Sequence, residues 1–398
     1  MGSSQRDLDA NYSRSVDQHV CPGCVTDEYL KRLLTDALDD EPCSYCGADR
    51  AADLNVLLEC LDETIQHYYN EPAEELMYDG REGGYQGTVS DGREIVENLD
   101  NWTESDELLQ DAGEAFVASD WCKRDFYSLD RYEGLKYGWD GFVEQVKHRT
   151  RYLFLQEFGD ELDPNYISPA QMLDALGILF CDHALFRTIP EGSKFIRARV
   201  VEVGERPSNA EELGTAPRDK AQWPNRMSPA GIPMFYAGHD EETAVLETYD
   251  PAQTKPREIA LAQFQNARSL QVLDLTQLPE LPSKFDPKNR YKRESLAFLY
   301  SFERDLTRRV PRDDGAHIEY VPTQVVTEYV RHRLTGPDGK RLDGILYRSS
   351  LDHERIAIVV FADPENCGPR SEFLARERFL NLVNVRYTAP SDFARLWQ

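Results

Sequence analysis

The chain has 398 residues, of which 40% are hydrophobic and 11% aromatic. This length exceeds what one ordinary hydrophobic core supports, so we expect two or three domains. No run of eighteen apolar residues is present, which excludes a transmembrane helix. The N-terminus begins Met1-Gly2-Ser3-Ser4, and no apolar segment typical of a secretory signal follows. We therefore expect a cytoplasmic protein.

The net charge of −26 is concentrated in the first half of the chain. Residues 1–190 hold 40 Asp and Glu against 15 Lys and Arg, whereas residues 191–398 hold 31 against 30. Such an acidic segment repels phosphate backbones, which argues against tight binding of nucleic acid. A solvated helical surface and a surface for a basic partner protein are both compatible with this charge.

Two Cys-x2-Cys pairs lie near the N-terminus, separated by 18 residues. This spacing is typical of a tetrahedral zinc site with four thiolates, which leaves no open coordination position and is therefore structural. Two disulfides are the alternative, which a cytoplasmic location disfavours. The predicted zinc ligands are Cys21, Cys24, Cys43 and Cys46.

The segment from residue 51 to residue 186 carries a helical pattern. Ser168-Pro169 has the N-cap and first-turn residues that begin helices. Further upstream, apolar side chains recur at three- and four-residue spacing at Leu54, Leu57, Leu58, Leu61 and Ile65. We therefore expect a zinc-binding segment over residues 1–50 and an acidic, mostly helical module over residues 51–186.

After Pro190 the pattern changes to short β-rich runs that alternate with helical segments, which predicts a mixed α/β domain over residues 187–398. Taken as a whole, the chain is expected to be an α+β protein. The predicted strands are 195–203, 232–236, 259–264, 270–275, 344–347 and 356–361, and the predicted helices are 241–249, 291–309 and 323–334.

Several side chains in this domain suit the binding of an anionic ligand. Arg197 and Arg199 alternate with apolar residues on one strand, so both point to the same face, and paired arginines bind anions or surface carboxylates. A loop rich in Gly and Pro then delivers Arg226 and leads to a strand that carries Tyr236. Glu247 follows on a helical segment among apolar neighbours, where a carboxylate needs a partner or a task.

The order of these residues resembles the RES family, which is named for its Arg, Glu and Ser. The resemblance covers residues 193–363 and places the family's Ser at Ser349, with Ser350 and Arg199 as adjacent alternatives to Ser349 and Arg197. It rests on an Arg-bearing strand followed by Asn225-Arg226, Gly231-x-Pro233-x-x-Tyr236, Thr243-Ala244-x-x-Glu247 and Asp343-Gly344-Ile345-x-Tyr347-x-Ser349. The acidic N-terminal half with its cysteines similarly resembles the HEPN/RES N-terminal domain.

The resemblance implies a fold similar to the ADP-ribosyltransferase toxins and an activity that degrades NAD. The bond between nicotinamide and ribose would be cleaved with inorganic phosphate or water as acceptor, in a toxin-antitoxin or antiviral setting. An antitoxin or a trigger protein is a candidate partner of the acidic half. Because no G-x-G-x-x-G follows a strand, NAD is expected as a substrate and not as a hydride cofactor.

The resemblance also implies a role for each residue. Glu247 would stabilise the charge that develops on the ribose, and Tyr236 would stack on nicotinamide. Arg197 would grip a phosphate group, as would Arg226, and Ser349 would orient the ribose or the carboxamide. Arg199, Ser350 and Tyr347 complete the predicted substrate-binding set.

Three other functions stay open at this point. An ADP-ribosyltransferase that modifies a macromolecule would use the same residues. A HEPN-type RNase needs an Arg-x4-6-His motif, and the matches in this sequence all lie outside the helical module. An adaptor without catalysis would not need the complete set of Arg, Tyr, Glu and Ser.

Overall fold

The computed structural model describes residues 12–13, 17–117, 119–153, 167–252, 254–310, 315–369 and 378–397. The chain divides into two compact units. The first unit comprises residues 1–133 and 280–295, and the second comprises residues 134–279 and 296–398.

The helices of the chain number twelve over the described residues. They are α1 (Glu28–Asp36), α2 (Leu54–Tyr68), α3 (Pro72–Glu75), α4 (Gly92–Asn98), α5 (Asp106–Ala115), α6 (Arg131–Glu144), α7 (Pro169–Asp182), α8 (Ala210–Leu213), α9 (Glu241–Thr248), α10 (Arg293–Thr307), α11 (Ala316–Glu319) and α12 (Val321–His332). Among described residues, none of these helices has the length and apolar character that crossing a membrane requires.

The strands of the first unit are short. They are β1 (His19–Val20), β2 (Asp39–Glu41), β3 (Ala51–Asp53), β4 (Tyr69–Asn70), β5 (Tyr78–Asp79), β6 (Gly84–Tyr85), β7 (Ser90–Asp91) and β8 (Asp120–Lys123). The second unit holds longer strands, namely β9 (Phe186–Ile189), β10 (Lys194–Glu202), β11 (Phe235–Gly238), β12 (Arg257–Asn266), β13 (Leu270–Asp274), β14 (Gly344–Arg348), β15 (Ile356–Val360), β16 (Cys367–Pro369) and β17 (Leu380–Thr388).

The first unit has one hydrophobic core around α2. The Leu residues predicted to share one helix face are buried there, at Leu54, Leu57, Leu58 and Leu61. Phe285 from the returning segment 280–295 belongs to the same core. This unit is not purely helical, because β4, β8 and β7 form a small sheet and β5 pairs with β6.

The second unit is built on a nine-stranded mixed sheet with the order β16-β17-β12-β10-β11-β15-β14-β13-β9. Neighbouring strands are antiparallel except for the pairs β13–β14 and β16–β17. Helix α7 begins at Ser168, whose hydroxyl accepts from the N–H of Gln171 in a capping box, as expected.

The predicted mixed α/β character of this unit is confirmed. The strand expected at residues 232–236 is displaced and runs over Phe235–Gly238. Pro233 lacks the N–H that a strand ladder uses, which explains why pairing begins after it.

Candidate functional site

The four predicted zinc ligands, Cys21, Cys24, Cys43 and Cys46, form what we call the four-cysteine cluster. All four sulfur atoms lie within 4.8 Å of one another. The Sγ atoms are 3.7 Å apart between Cys21 and Cys24, 3.4 Å between Cys21 and Cys46, and 3.7 Å between Cys24 and Cys43. Four thiolates at about 2.3 Å from a tetrahedral zinc would be separated by about 3.8 Å. The cluster therefore has the size that a zinc ion requires.

Two tight turns build the four-cysteine cluster. The N–H of Cys24 donates to the carbonyl of Cys21 at 3.0 Å, and the N–H of Gly47 donates to the carbonyl of Cys43 at 3.0 Å. Gly47 has a φ of 71°, a conformation that favours glycine. Burial opposes ionisation of Cys43, but hydrogen bonds from backbone N–H groups outweigh it and lower its pKa to about 7. Burial raises the pKa of the Cys21 and Cys24 thiols, so Cys43 is the member of the cluster whose thiolate is favoured.

Strand register places Tyr236 and Tyr347 on one face of the large sheet. Tyr236 pairs with Val359 and Tyr347 pairs with Ala357, and both partners lie on the same face of β15. Ala198 of β10 faces the same way and packs against α9, so we call this the α9 face. Helix α9 approaches closely because Gly238 has no side chain; a Cβ there would lie 2.6 Å from the N atom of Ala244.

The Tyr236 hydroxyl is fixed by the turn that precedes its strand. It donates to Ser228 Oγ at 2.9 Å and accepts from the N–H of Met227 at 3.3 Å. Gln324 of α12 supports this turn by donating to the carbonyl of Asn225 at 2.8 Å. Burial raises the pKa of Tyr236 above its ordinary value of 10. The ring is therefore held in one orientation as a neutral phenol.

The pKa of Tyr347 is affected by several of the predicted site residues. Its side chain is 2% exposed, and burial, followed by the negative charge of Glu247, raises its pKa well above the ordinary value. Tyr236 contributes in the same direction, whereas the positive charge of Arg226 opposes the increase. Tyr236, Glu247 and Arg226 are therefore close enough to Tyr347 to affect its pKa.

Arg226 has a structural contact in addition to its predicted role. Its Nη1 donates to the carbonyls of Leu306 and Arg308, both at 2.8 Å, and so satisfies the C-terminal end of α10. The guanidinium carbon lies 5.5 Å from the centroid of the Tyr320 ring. Among the described residues no acceptor contacts its Nε or Nη2.

Arg197 and Arg199 point to the same face, as predicted, but it is the face opposite to Tyr236. Between β10 and β11 the paired residues are Ile196 and Gly238. The Nη1 of Arg197 donates to the carbonyl of Tyr236 at 2.8 Å, and the guanidinium carbon is 5.3 Å from the Phe235 ring centroid. Burial lowers the pKa of Arg197.

Arg199 is exposed and makes surface contacts. It donates to the carbonyl of Glu212 at 2.5 Å and lies 3.5 Å from the carboxylate of Glu205. The described contacts therefore connect Arg197, and not Arg199, with the backbone of Tyr236.

Ser349 is fully buried directly after β14. Its N–H donates to the carbonyl of Arg355 at 2.9 Å, and its Oγ accepts from the N–H of Leu351 at 3.2 Å. Ser350 is partly exposed. The two serines, which the sequence did not distinguish, therefore differ in burial.

Two residues near the site were missed by the sequence interpretation. Tyr320 faces Arg226 and contributes to the electrostatic environment of Tyr347. Arg355 contacts both the backbone of Ser349 and the first turn of α9. Neither lies in a motif, and their roles depend on contacts between segments that are distant in sequence.

Comparison with family models gives two matches. Residues 36–159 match HEPN/RES N-terminal domain 1, and residues 200–378 match the RES domain. No curated protein and no solved structure matches the chain. The chain therefore carries a HEPN/RES N-terminal domain 1 followed by a RES domain, as the motifs indicated.

Proposed function

We propose that the RES domain binds NAD and cleaves the bond between nicotinamide and ribose. The observation that carries this proposal is the α9 face, on which Tyr236 and the buried Tyr347 lie together, with Glu247 on the helix that packs against that face. The family to which the domain belongs supports it. NAD offers a matching combination of a cationic ring, a ribose and a pyrophosphate.

In the proposed reaction the C–N bond breaks and nicotinamide leaves with the electron pair as a neutral pyridine. The ribose becomes oxocarbenium-like, and the negative charge of Glu247 stabilises it. Tyr236 stacks on the nicotinamide ring, and Tyr347 lines the same side of the sheet. Ser349 orients the ribose or the carboxamide.

The arginines are proposed to bind the phosphate groups. Arg197 lies beside the backbone of Tyr236, and Arg226 has two nitrogen groups with no acceptor among the described residues, so each is proposed to bind a phosphate oxygen. With water as acceptor the product is ADP-ribose and a proton is released. With inorganic phosphate as acceptor, a phosphate oxygen forms the new bond to the ribose carbon, which gives a phosphorylated ADP-ribose.

Incubation of the purified full chain with NAD labelled in the adenine tests the proposal and separates the acceptors. We expect labelled ADP-ribose or its phosphorylated form together with free nicotinamide. Label in a protein or nucleic-acid band would instead indicate an ADP-ribosyltransferase acting on a macromolecule. Unchanged NAD in the presence of folded protein would contradict the proposal.

For the first unit we propose two roles. The four-cysteine cluster holds one structural zinc ion, since its sulfur separations suit a tetrahedral site and no position is left for a substrate. The acidic HEPN/RES N-terminal domain receives an antitoxin or a trigger protein that restrains or releases a toxic NAD-consuming activity in the cytoplasm. Its charge favours a basic partner surface.

A further inference from the structure

The loop of residues 349–355, which joins β14 to β15, is closed by Arg355. The Arg355 carbonyl accepts from the N–H of Ser349 at 2.9 Å. Within the loop, the N–H of Arg355 donates to the carbonyl of Asp352 at 3.0 Å, and Nε donates to the Asp352 carboxylate at 2.9 Å. The backbone of Arg355 therefore closes the loop, and its side chain adds one ionic contact within the loop, to Asp352.

The same side chain reaches the N-terminal turn of α9. Its Nη1 lies 3.4 Å from Asp240 Oδ1, and its Nη2 donates to the carboxylate of Glu242. Asp240 is the N-cap of α9 and accepts from the N–H of Thr243 at 2.7 Å. The Arg355 side chain is only 20% exposed, so these charged contacts are less screened than surface ion pairs.

We infer that Arg355 is a positioning residue that locks the Ser349 loop to the helix that carries Glu247. Its catalytic consequence rests on the proposed function, because Glu247 and Ser349 are the groups assigned to the ribose. Helix α9 is short, and the turn that Arg355 holds begins the helix on which Glu247 lies. Movement of that turn would shift the helix that carries Glu247 relative to the loop that carries Ser349, while Arg197 on β10 and Arg226 beside α10 keep their own contacts.

Steady-state release of nicotinamide by the full-chain variant Arg355→Ala tests this inference. We expect kcat to fall about 10- to 100-fold, since misplacement of about 1 Å in a catalytic group has effects of this order. KM should change less than about threefold, because the phosphate contacts persist. Arg355→Lys should recover part of kcat, since the Lys ammonium can replace one of the ionic contacts. It cannot contact several carboxylates at once as the planar guanidinium does.

Arg395→Ala is the matched control. Arg395 also donates to Glu242, but its side chain is 74% exposed and it has no described contact with the Ser349 loop. We expect its kcat to stay within about twofold of wild type, as for most exposed ion pairs. Equal losses of kcat in Arg355→Ala and Arg395→Ala would overturn the inference.

Two further readouts distinguish positioning from a general loss of stability. In a Glu247→Gln background, Arg355→Ala should reduce kcat much less than in wild type, because the two changes act on the same group. If Arg355→Ala lowers kcat as much in the Glu247→Gln background as in wild type, Arg355 does not act through Glu247. Amide hydrogen exchange can be measured whether or not the protein is active. Arg355→Ala should lower the protection of the amides of residues 241–248 and of residues 349–355 together.

The two proposals fail in different ways. If wild-type protein releases no nicotinamide, the proposed function is wrong, while the exchange experiment still decides whether Arg355 couples the two segments. If wild-type protein is active but Arg355→Ala has wild-type kcat and unchanged protection in both segments, the coupling is wrong and the proposed function stands.

Discussion

Replacement of Glu247 by Gln isolates the charge that the proposed mechanism uses. The amide keeps the size of the side chain and much of its hydrogen bonding, so α9 should stay packed on the sheet through Ala244 and Val245. What is lost is a negative charge in the environment that surrounds Tyr347. Positive charge on the ribose develops only as the C–N bond breaks, so the loss should affect the transition state more than bound NAD.

The expected decrease in kcat can be worked out from the burial of the site around Tyr347. Tyr347 is 2% exposed, so the charges around it are far less screened than in bulk water. Two unit charges about 4 to 5 Å apart interact by about 3 to 4 kcal/mol at an effective dielectric constant of about 20. Because the ribose carries only part of a unit charge, a decrease in kcat of roughly 10² to 10³ is expected.

Nicotinamide release under saturating NAD measures this decrease, and a binding measurement with NAD shows that affinity is retained. Glu241→Gln is the matched control, since it makes the same chemical change on the same helix at a residue whose carboxylate pairs with Arg386 at the surface. If folded Glu247→Gln protein consumes NAD at the rate of wild type, Glu247 is a helix-surface acid and the assigned mechanism is wrong.

Three further predictions concern other parts of the molecule. Elemental analysis of reduced, chelator-free protein should find one zinc per chain, and Cys43→Ser should abolish that stoichiometry and destabilise the first unit; absence of zinc from the wild type would refute the site. Arg197→Ala should weaken NAD binding as well as turnover, because it removes a phosphate contact, and an unchanged KM would exclude that role. The full chain, whose residues 1–190 hold 40 acids against 15 bases, should not bind DNA tightly, and salt-sensitive, high-affinity retention of DNA would contradict this.

Local patterns predicted much of what this structure contains. The Cys-x2-Cys spacing identified the four residues whose sulfurs converge. Alternation along β10 placed Arg197 and Arg199 on one face, and Ser168-Pro169 marked the start of α7. The motif order indicated a RES domain, which the family model confirms. These features depend on residues close together in the chain, whose geometry is set by the backbone period.

Relations between distant segments could not be predicted in this way. The pairing of Ile196 with Gly238 sets Arg197 on the face opposite to Tyr236, and no single strand carries that register. Phe285 belongs to the core of the first unit although the strand that precedes it, β13, belongs to the second unit. Arg355 acquires its role only when the β14–β15 loop meets α9. The similarity of the fold to ADP-ribosyltransferase toxins stays a prediction.

We propose that this chain consumes NAD at the site around Tyr347. Its most direct test is the release of nicotinamide from NAD by purified, folded, full-length protein, measured with and without inorganic phosphate. We expect nicotinamide release in at least one of these conditions, with an increase on adding phosphate if phosphate is the acceptor. No release above the uncatalysed rate in either condition would contradict it.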